Sequence, residues 1–173
     1  ALATGEIIVT TDADCWMVID KESGVLSDPM MEFVLGMGIT WLSFFIFFKT
    51  GEKYAIVGNL DIEKIRASAL FTNVYAYKGT PKDDLLHILE KHDPNKIAIN
   101  YSTDSAMADG LTYGKYLKLT EFLKDTRFAD RLVSAESIVS KLRGRKSAEE
   151  IRRMKKAGDV TLEIYDMVTT NGK

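Results

Sequence analysis

The sequence predicts an α/β fold: a three-layer domain around a mixed, mostly parallel sheet of five or six strands, followed by a C-terminal helix that belongs to a further domain. Three observations predict it. Short runs of β-branched and aromatic residues alternate with amphipathic stretches, as in a sheet covered by helices on both faces. One pair of runs is joined by a short polar connection containing glycine, as in a β-hairpin, so the sheet holds antiparallel neighbours. A last helix carries an apolar stripe past a basic joint with nothing after it to cover that stripe, which reads as the start of a further domain, the alternative being a terminal helix folded back onto the same domain.

Taken in order, Glu6 to Thr10 is a short β-branched run that reads either as a strand or as the end of a trimmed helix. Cys15-Trp16-Met17-Val18-Ile19, closing at Asp20, is a strand. Asp28-Pro29 opens a helix of two turns, with aspartate as N-cap and proline in the first helical position. It carries Met31, Val34 and Leu35 and ends at Gly36. Trp41 to Phe48 and Tyr54 to Val57 flank Lys49-Thr50-Gly51-Glu52-Lys53, a hairpin expected in the middle of the sheet. Asp61 then caps a helix through Ile65 and Leu70, and Val74 to Tyr77 is a short strand. Thr80-Pro81 opens a helix whose buried side is Leu85, Leu86, Ile88 and Leu89. Lys96 to Asn100 reads as a strand in parallel pairing.

From Tyr101 to Gly110 the chain is polar and small. Leu111 to Lys124 is helical again, and Leu132-Val133 is expected as an edge strand. Ser134 caps a helix with Ala135, Ile138, Val139 and Leu142 on one face, which Gly144 ends. After Arg143-Gly144-Arg145-Lys146, Ser147 and Glu150 form a capping box, each side chain satisfying a backbone N–H that the helix leaves bare. Ile151, Met154, Leu162, Tyr165 and Val168 line one side of the helix that this box opens. The expected division is residues 1–143 as one domain, 144–146 as a hinge and 147–173 as the first helix of the next domain.

Composition bounds the function classes. The chain has 173 residues, 46% of them hydrophobic and 28% charged, with a formal net charge of −2, which is ordinary for a folded domain. A near-neutral chain lacks the basic surplus that phosphate backbones demand, so nucleic acid is not an expected partner. The basic run from Lys141 to Lys156, interspersed with Glu149 and Glu150, reads as a solvated hinge and helix face. The run Ile39 to Phe48 is about half the length of a membrane-spanning helix, so no membrane is expected either. The single cysteine excludes an internal disulfide and multi-cysteine zinc sites, and a cytoplasmic location is the default. A first residue of Ala rather than Met points to processing or trimming.

Chemistry is sparse. Only His87 and His92 are present, about 140° apart around one helix, so they cannot share a metal; both read as solvated. No phosphate-loop, dinucleotide or zinc-protease motif occurs. No serine has a histidine base at a strand-end elbow, and Cys15 reads as a buried, inert thiol. Asp104 and Asp109, near Tyr101 and Tyr113, are candidates to line a pocket, although turn-forming aspartates account for them more simply.

The segment from Ser134 to Val168 closely resembles the junction between the two halves of metallopeptidases of the aminopeptidase P, prolidase and creatinase group. There a helix ends in L-R-x-x-K-S and the next domain begins x-x-E-I-x-x-M-K-x-A. Leu142, Arg143, Lys146, Ser147, Glu149 or Glu150, Ile151, Met154, Lys155 and Ala157 match that pattern. Upstream, the strand around Cys15 to Asp20, the Phe33-Val34-Leu35-Gly36 ending and the strand from Gly51 to Val57 resemble the N-terminal domain of the same group. Many members have an aromatic-Leu-Thr-Gly sequence where this chain has Phe33 to Gly36.

The resemblance implies a creatinase-type N-terminal domain with a ribonuclease H-like motif, packed beside its own C-terminal catalytic domain. It further implies a contribution to a homodimer and restriction of access to short proline-containing peptides. The catalytic half of the group is a pita-bread fold in which two divalent metal ions, manganese, cobalt or zinc, activate a water for cleavage before proline. None of its ligands matches a residue of this chain, so no catalytic, cofactor-binding or metal-binding residue is assigned. The expected whole protein is a dinuclear Xaa-Pro peptidase. The alternatives are a peptide-binding pseudo-peptidase of the histone-chaperone type and a creatinase-like amidinohydrolase.

Overall fold

In the computed structural model, which describes residues 11–171, the apolar runs assemble into one six-stranded sheet of order β4-β3-β2-β1-β5-β6. The strands are β1 Cys15–Asp20, β2 Ser43–Phe48, β3 Lys53–Gly58, β4 Asn73–Tyr77, β5 Ile97–Ile99 and β6 Leu132–Ser134. β1 pairs antiparallel to β2 and β2 to β3, whereas β1–β5, β3–β4 and β5–β6 are parallel. Five strands therefore share a direction and β2 alone opposes them. The central pair is β1 and β2, so the hairpin lies one place off the expected centre, and β6 forms the expected edge.

Both faces are covered. Side chains alternate along each strand, so Trp16, Val18, Phe45, Phe47, Ala55 and Val57 point to one face. There they meet α1 (Met31–Val34), α2 (Ile62–Ala67) and α5 (Glu136–Gly144). Met17, Ile19, Phe44, Ile46, Tyr54 and Ile56 point to the other face, under α3 (Lys82–His92) and α4 (Tyr113–Leu123). Burial on both sides is why the strands read as continuous apolar runs: β1 and β2 are buried at every position. Aromatic pairs tighten the first face, with Trp16 and Phe47 stacked at 5.5 Å and Phe45 against Phe71 at 5.4 Å. Such pairs add about 0.5–1.5 kcal/mol each beyond their area.

Several local expectations are corrected. α1 has one turn rather than two, because Asp28 and Pro29 form a preceding turn in which Asp28 Oδ1 accepts the Met30 amide at 2.8 Å. α2 stops before Leu70, since Ala69 turns left-handed at φ 52°. Asp61 does not cap α2 with its side chain. Its carboxylate instead accepts the Thr40 amide at 2.9 Å and the Trp41 amide at 3.4 Å, tying the entry of β2 to α2. The Glu6 to Thr10 run lies outside the described residues.

The chain divides into two compact units between Leu142 and Arg143. The second contains α6 (Ala148–Asn171). Its capping box forms as the sequence suggests, with Ser147 N–H donating to Glu150 Oε2 at 2.7 Å and Glu150 N–H to Ser147 Oγ at 3.1 Å. Residues 148–170 are all exposed. Besides the stripe containing Leu162 and Tyr165, exposed by 65% and 67%, the helix presents Val160, Ile164 and Met167. At about 100° per residue these three fall on the opposite side.

Candidate functional site

The carboxyl ends of β1, β3, β4, β5 and β6 lie along one edge of the sheet, and in open α/β sheets ligands bind in the crevice beyond that edge. The buried polar side chains of the fold concentrate there. Asp20 ends β1, Asn100 follows β5, Asp28 comes from the loop before α1, and Lys115 from the first turn of α4. Lys115 Nζ donates to Asp20 Oδ1 at 3.0 Å and to the Gly110 carbonyl at 3.1 Å. Asp20 also accepts the Lys21 amide, the Ser27 hydroxyl and the Asp28 amide. Asn100 Nδ2 donates to Asp28 Oδ2 at 2.8 Å, and Trp16 Nε1 donates to Asn100 Oδ1 at 2.7 Å.

This network is closed. Among the described residues no buried side-chain polar atom lacks a partner, and Asp28 is 1% exposed. Burial pushes the Asp28 carboxyl above its ordinary value, against the Met30 amide and the Asn100 side chain, which hold it down. A carboxyl so enclosed meets no substrate. The network's work is positional, fastening the loops after β1 and β5 to the sheet. Gly110 makes the approach possible, because a Cβ there would stand 2.2 Å from Asp28 Cγ.

Beyond the network runs an open groove of about 820 Å³, walled by Trp41, Tyr77 and Phe122 and rimmed by Lys78 and Lys118. Trp41 packs so closely on Gly58 that a Cβ there would come within 2.6 Å of it. The Tyr77 hydroxyl donates to the Leu42 carbonyl at 2.7 Å, and its pKa is pushed up to about 12 by burial and then by the Asp61 charge. Lys118 is paired with Glu121 at 2.8 Å. The residues that form these walls include no activated nucleophile.

The residues singled out in the sequence separate clearly. His87 is exposed on α3. His92 is not solvated as expected: its side chain is 11% exposed, its ring stacks on Phe48 with centroids 3.9 Å apart, and Nε2 lies 2.8 Å from the Tyr54 hydroxyl. Lys91 Nζ also lies 2.8 Å from that hydroxyl. An ammonium can only donate, so the Tyr54 oxygen accepts from Lys91, while the other ring nitrogen of His92, Nδ1, faces Glu52 at 3.5 Å. Tyr54 has no exposed surface, so this acid, imidazole and hydroxyl series knits the hairpin to α3 without reaching a substrate. No periodicity argument could find it, because His92 is the last residue of its helix and its partners come from the β2–β3 hairpin.

Cys15 is fully buried and burial raises its pKa strongly, leaving an inert thiol. Asp109, Tyr101 and Tyr113 do line one cleft together, which Asp104 does not join. Among the described residues no group of three or more His, Cys, Asp or Glu side chains could hold a metal ion. The metal pair implied by the resemblance therefore has no donor set among the described residues. None of the described helices is long and apolar enough to cross a membrane.

No protein-family model matches the sequence, and no curated protein matches it. Solved structures do match by fold. An X-Pro aminopeptidase from Thermotoga maritima superposes with a TM-score of 0.60 at 12% identity, over 95% of this chain and 43% of that one. A proline dipeptidase from Streptococcus pneumoniae gives 0.58 at 18%, over 82% of this chain and 95% of that one. An Xaa-Pro dipeptidase from Bacillus anthracis gives 0.56 at 16%, over 98% of this chain and 41% of that one. The chain thus spans less than half the length of the first and third of these. With its six-stranded mixed sheet between two helical layers, the chain has the fold of the creatinase/prolidase-type N-terminal domain found in Xaa-Pro dipeptidases.

Proposed function

We propose that these residues are the non-catalytic N-terminal domain of a dinuclear metal-dependent Xaa-Pro peptidase, followed by the first helix of its catalytic domain. In this reading the domain restricts access to short proline-containing peptides and supports a homodimer in the cytoplasm. The metal ions, manganese, cobalt or zinc, are held by the catalytic domain. The observation that supports it is the pattern of coverage: residues of this chain fill 95% of a pneumococcal dipeptidase structure but 41–46% of four longer prolidase and aminopeptidase chains. α6 is consistent with this, since a helix with apolar residues on two opposite sides is suited to burial within a further domain.

The test is to express the whole uninterrupted coding region that contains these residues beside the 173-residue chain, and to assay Ala-Pro and Gly-Pro hydrolysis with each metal added. Metal-dependent turnover by the longer polypeptide and none by the shorter is expected. Turnover by the 173-residue chain itself would defeat the division of labour. Peptide binding without turnover by the longer polypeptide would favour the pseudo-peptidase, and hydrolysis of creatine in place of dipeptides the amidinohydrolase.

A further inference from the structure

Where the sheet ends at β6, near the start of α4, an open cleft of about 540 Å³ is lined by Tyr101, Asp109, Leu111, Tyr113, Tyr116 and Leu132. Its walls are three phenol rings, exposed by 41%, 74% and 38% respectively. Tyr113 and Tyr116, one helical turn apart, are stacked with centroids 6.5 Å apart. Leu111 and Leu132 supply an apolar lining. Rigid tyrosines standing in solvent over apolar side chains are the composition of binding surfaces, because they offer large contact area at little cost in side-chain freedom.

The charge of the cleft selects its occupant. Asp109 is the one ionisable acid or base of ordinary pH among the six lining residues. It is exposed, and its carboxylate is engaged by a single long bond from the Ser102 amide, at 3.4 Å. Aromatic faces carry the negative end of the ring quadrupole, so rings and carboxylate together attract a cation and repel an anion. Length and shape come from the sheet. β6 is the terminal strand in the order, and among the described residues no strand pairs with its outer side. An extended segment laid there finds backbone groups to pair with.

We infer that this cleft is a docking site for an extended peptide segment bearing a lysine or arginine, whose side chain lies across the Tyr113 and Tyr116 rings with its charge toward Asp109. The site is separate from the groove walled by Trp41 and Tyr77. It requires neither a metal nor turnover, so it stands or falls independently of the peptidase reading.

The experiment is calorimetric titration of the full chain with a six-residue alanine-based peptide carrying one central arginine, against the same peptide with norleucine in its place. The arginine peptide should bind about tenfold more tightly, the effect of one good anchor, and should weaken as salt is raised. Asp109→Asn should remove most of the preference for arginine. Tyr113→Ala should weaken binding of the arginine peptide by about tenfold, while Tyr113→Phe, which keeps the ring, should retain it. Both positions are exposed, so the unfolding midpoint of each variant should match the parent. Equal affinity for the two peptides, an arginine preference that survives Asp109→Asn, or no binding at millimolar peptide would each overturn the inference. So would sedimentation showing a dimer that Tyr113→Ala dissociates, since the face would then belong to a second copy of this chain.

Discussion

Replacing Lys115 by methionine removes one charge from the interior and keeps most of the side chain's length. Asp20, with no exposed surface, would lose the cation that stands 3.0 Å from it. Breaking a buried ion pair from one side costs about 3–5 kcal/mol. Asp20 would keep the Lys21 amide, the Ser27 hydroxyl and the Asp28 amide at 2.8–3.2 Å, which places the loss at the lower end, about 3 kcal/mol. The Gly110 carbonyl also loses its donor at 3.1 Å, adding about 1 kcal/mol. The total of about 4 kcal/mol corresponds to a fall in Tm of roughly 10 °C for a unit of this size. The assay is urea unfolding followed by tryptophan fluorescence in a Trp41→Phe background, so that the signal comes from Trp16, which is fully buried and bonded to Asn100 within the same network. The double variant Asp20→Asn, Lys115→Met removes the stranded charge and should recover about half of the loss. A single variant that loses less than about 1 kcal/mol at an unchanged m-value would refute the assignment of this pair as a structural fastener.

Burial of the His92 ring lowers its pKa below 6.5, opposed by the Glu52 charge and assisted by Lys91. The folded chain then binds fewer protons than the unfolded one, so this contribution to stability is complete above pH 6.5 and is lost as pH falls toward the folded value. His92→Gln should flatten the fall in Tm between about pH 7.5 and 5.5; identical slopes would count against it. Cys15 should resist thiol reagents in native buffer and react as one thiol in urea, and rapid native labelling would contradict its burial. Gly58→Ala should cost about 1–3 kcal/mol, read by urea titration with Trp41 kept, because the new Cβ meets Trp41 at 2.6 Å; an unchanged midpoint would show that the tryptophan moves aside freely. Ending the chain after Arg145 should move the Tm of the sheet unit by no more than roughly 2 °C, since its six strands all precede Leu142; a larger fall would show that α6 supports the sheet.

The strands were legible because burial on both faces writes itself into consecutive residues: Cys15 to Ile19 and Phe44 to Phe48 are buried at every position, so no polar residue interrupts them. The capping box of α6 was legible for the opposite reason, being complete within four residues. What failed lies between these scales. Asp61 sits where an N-cap is expected, but backbone amides of the β2 entry, some twenty residues earlier, compete for its oxygens and win. His92 looked solvated because helical phase was the only guide, while Tyr54 and Phe48 approach it from the hairpin.

The polar junction shows why the candidate site was harder to read than the fold. Its bonds span 72 residues between Asn100 and Asp28, 84 between Trp16 and Asn100, and 95 between Lys115 and Asp20, so no local period encodes them. One trace does survive in the sequence. Asp20 and Asn100 each follow directly on the last isoleucine of an apolar run, and those runs are neighbouring parallel strands. A polar residue stranded at the carboxyl end of a doubly buried strand must find a partner inside the protein or be left unsatisfied at a cost of about 1–3 kcal/mol. Two such residues at one sheet edge therefore require other parts of the chain to fold over them. That requirement draws the Asp28 loop and the first turn of α4 onto the sheet, and the same folding-over leaves the exposed rings of Tyr113 and Tyr116 standing beside β6.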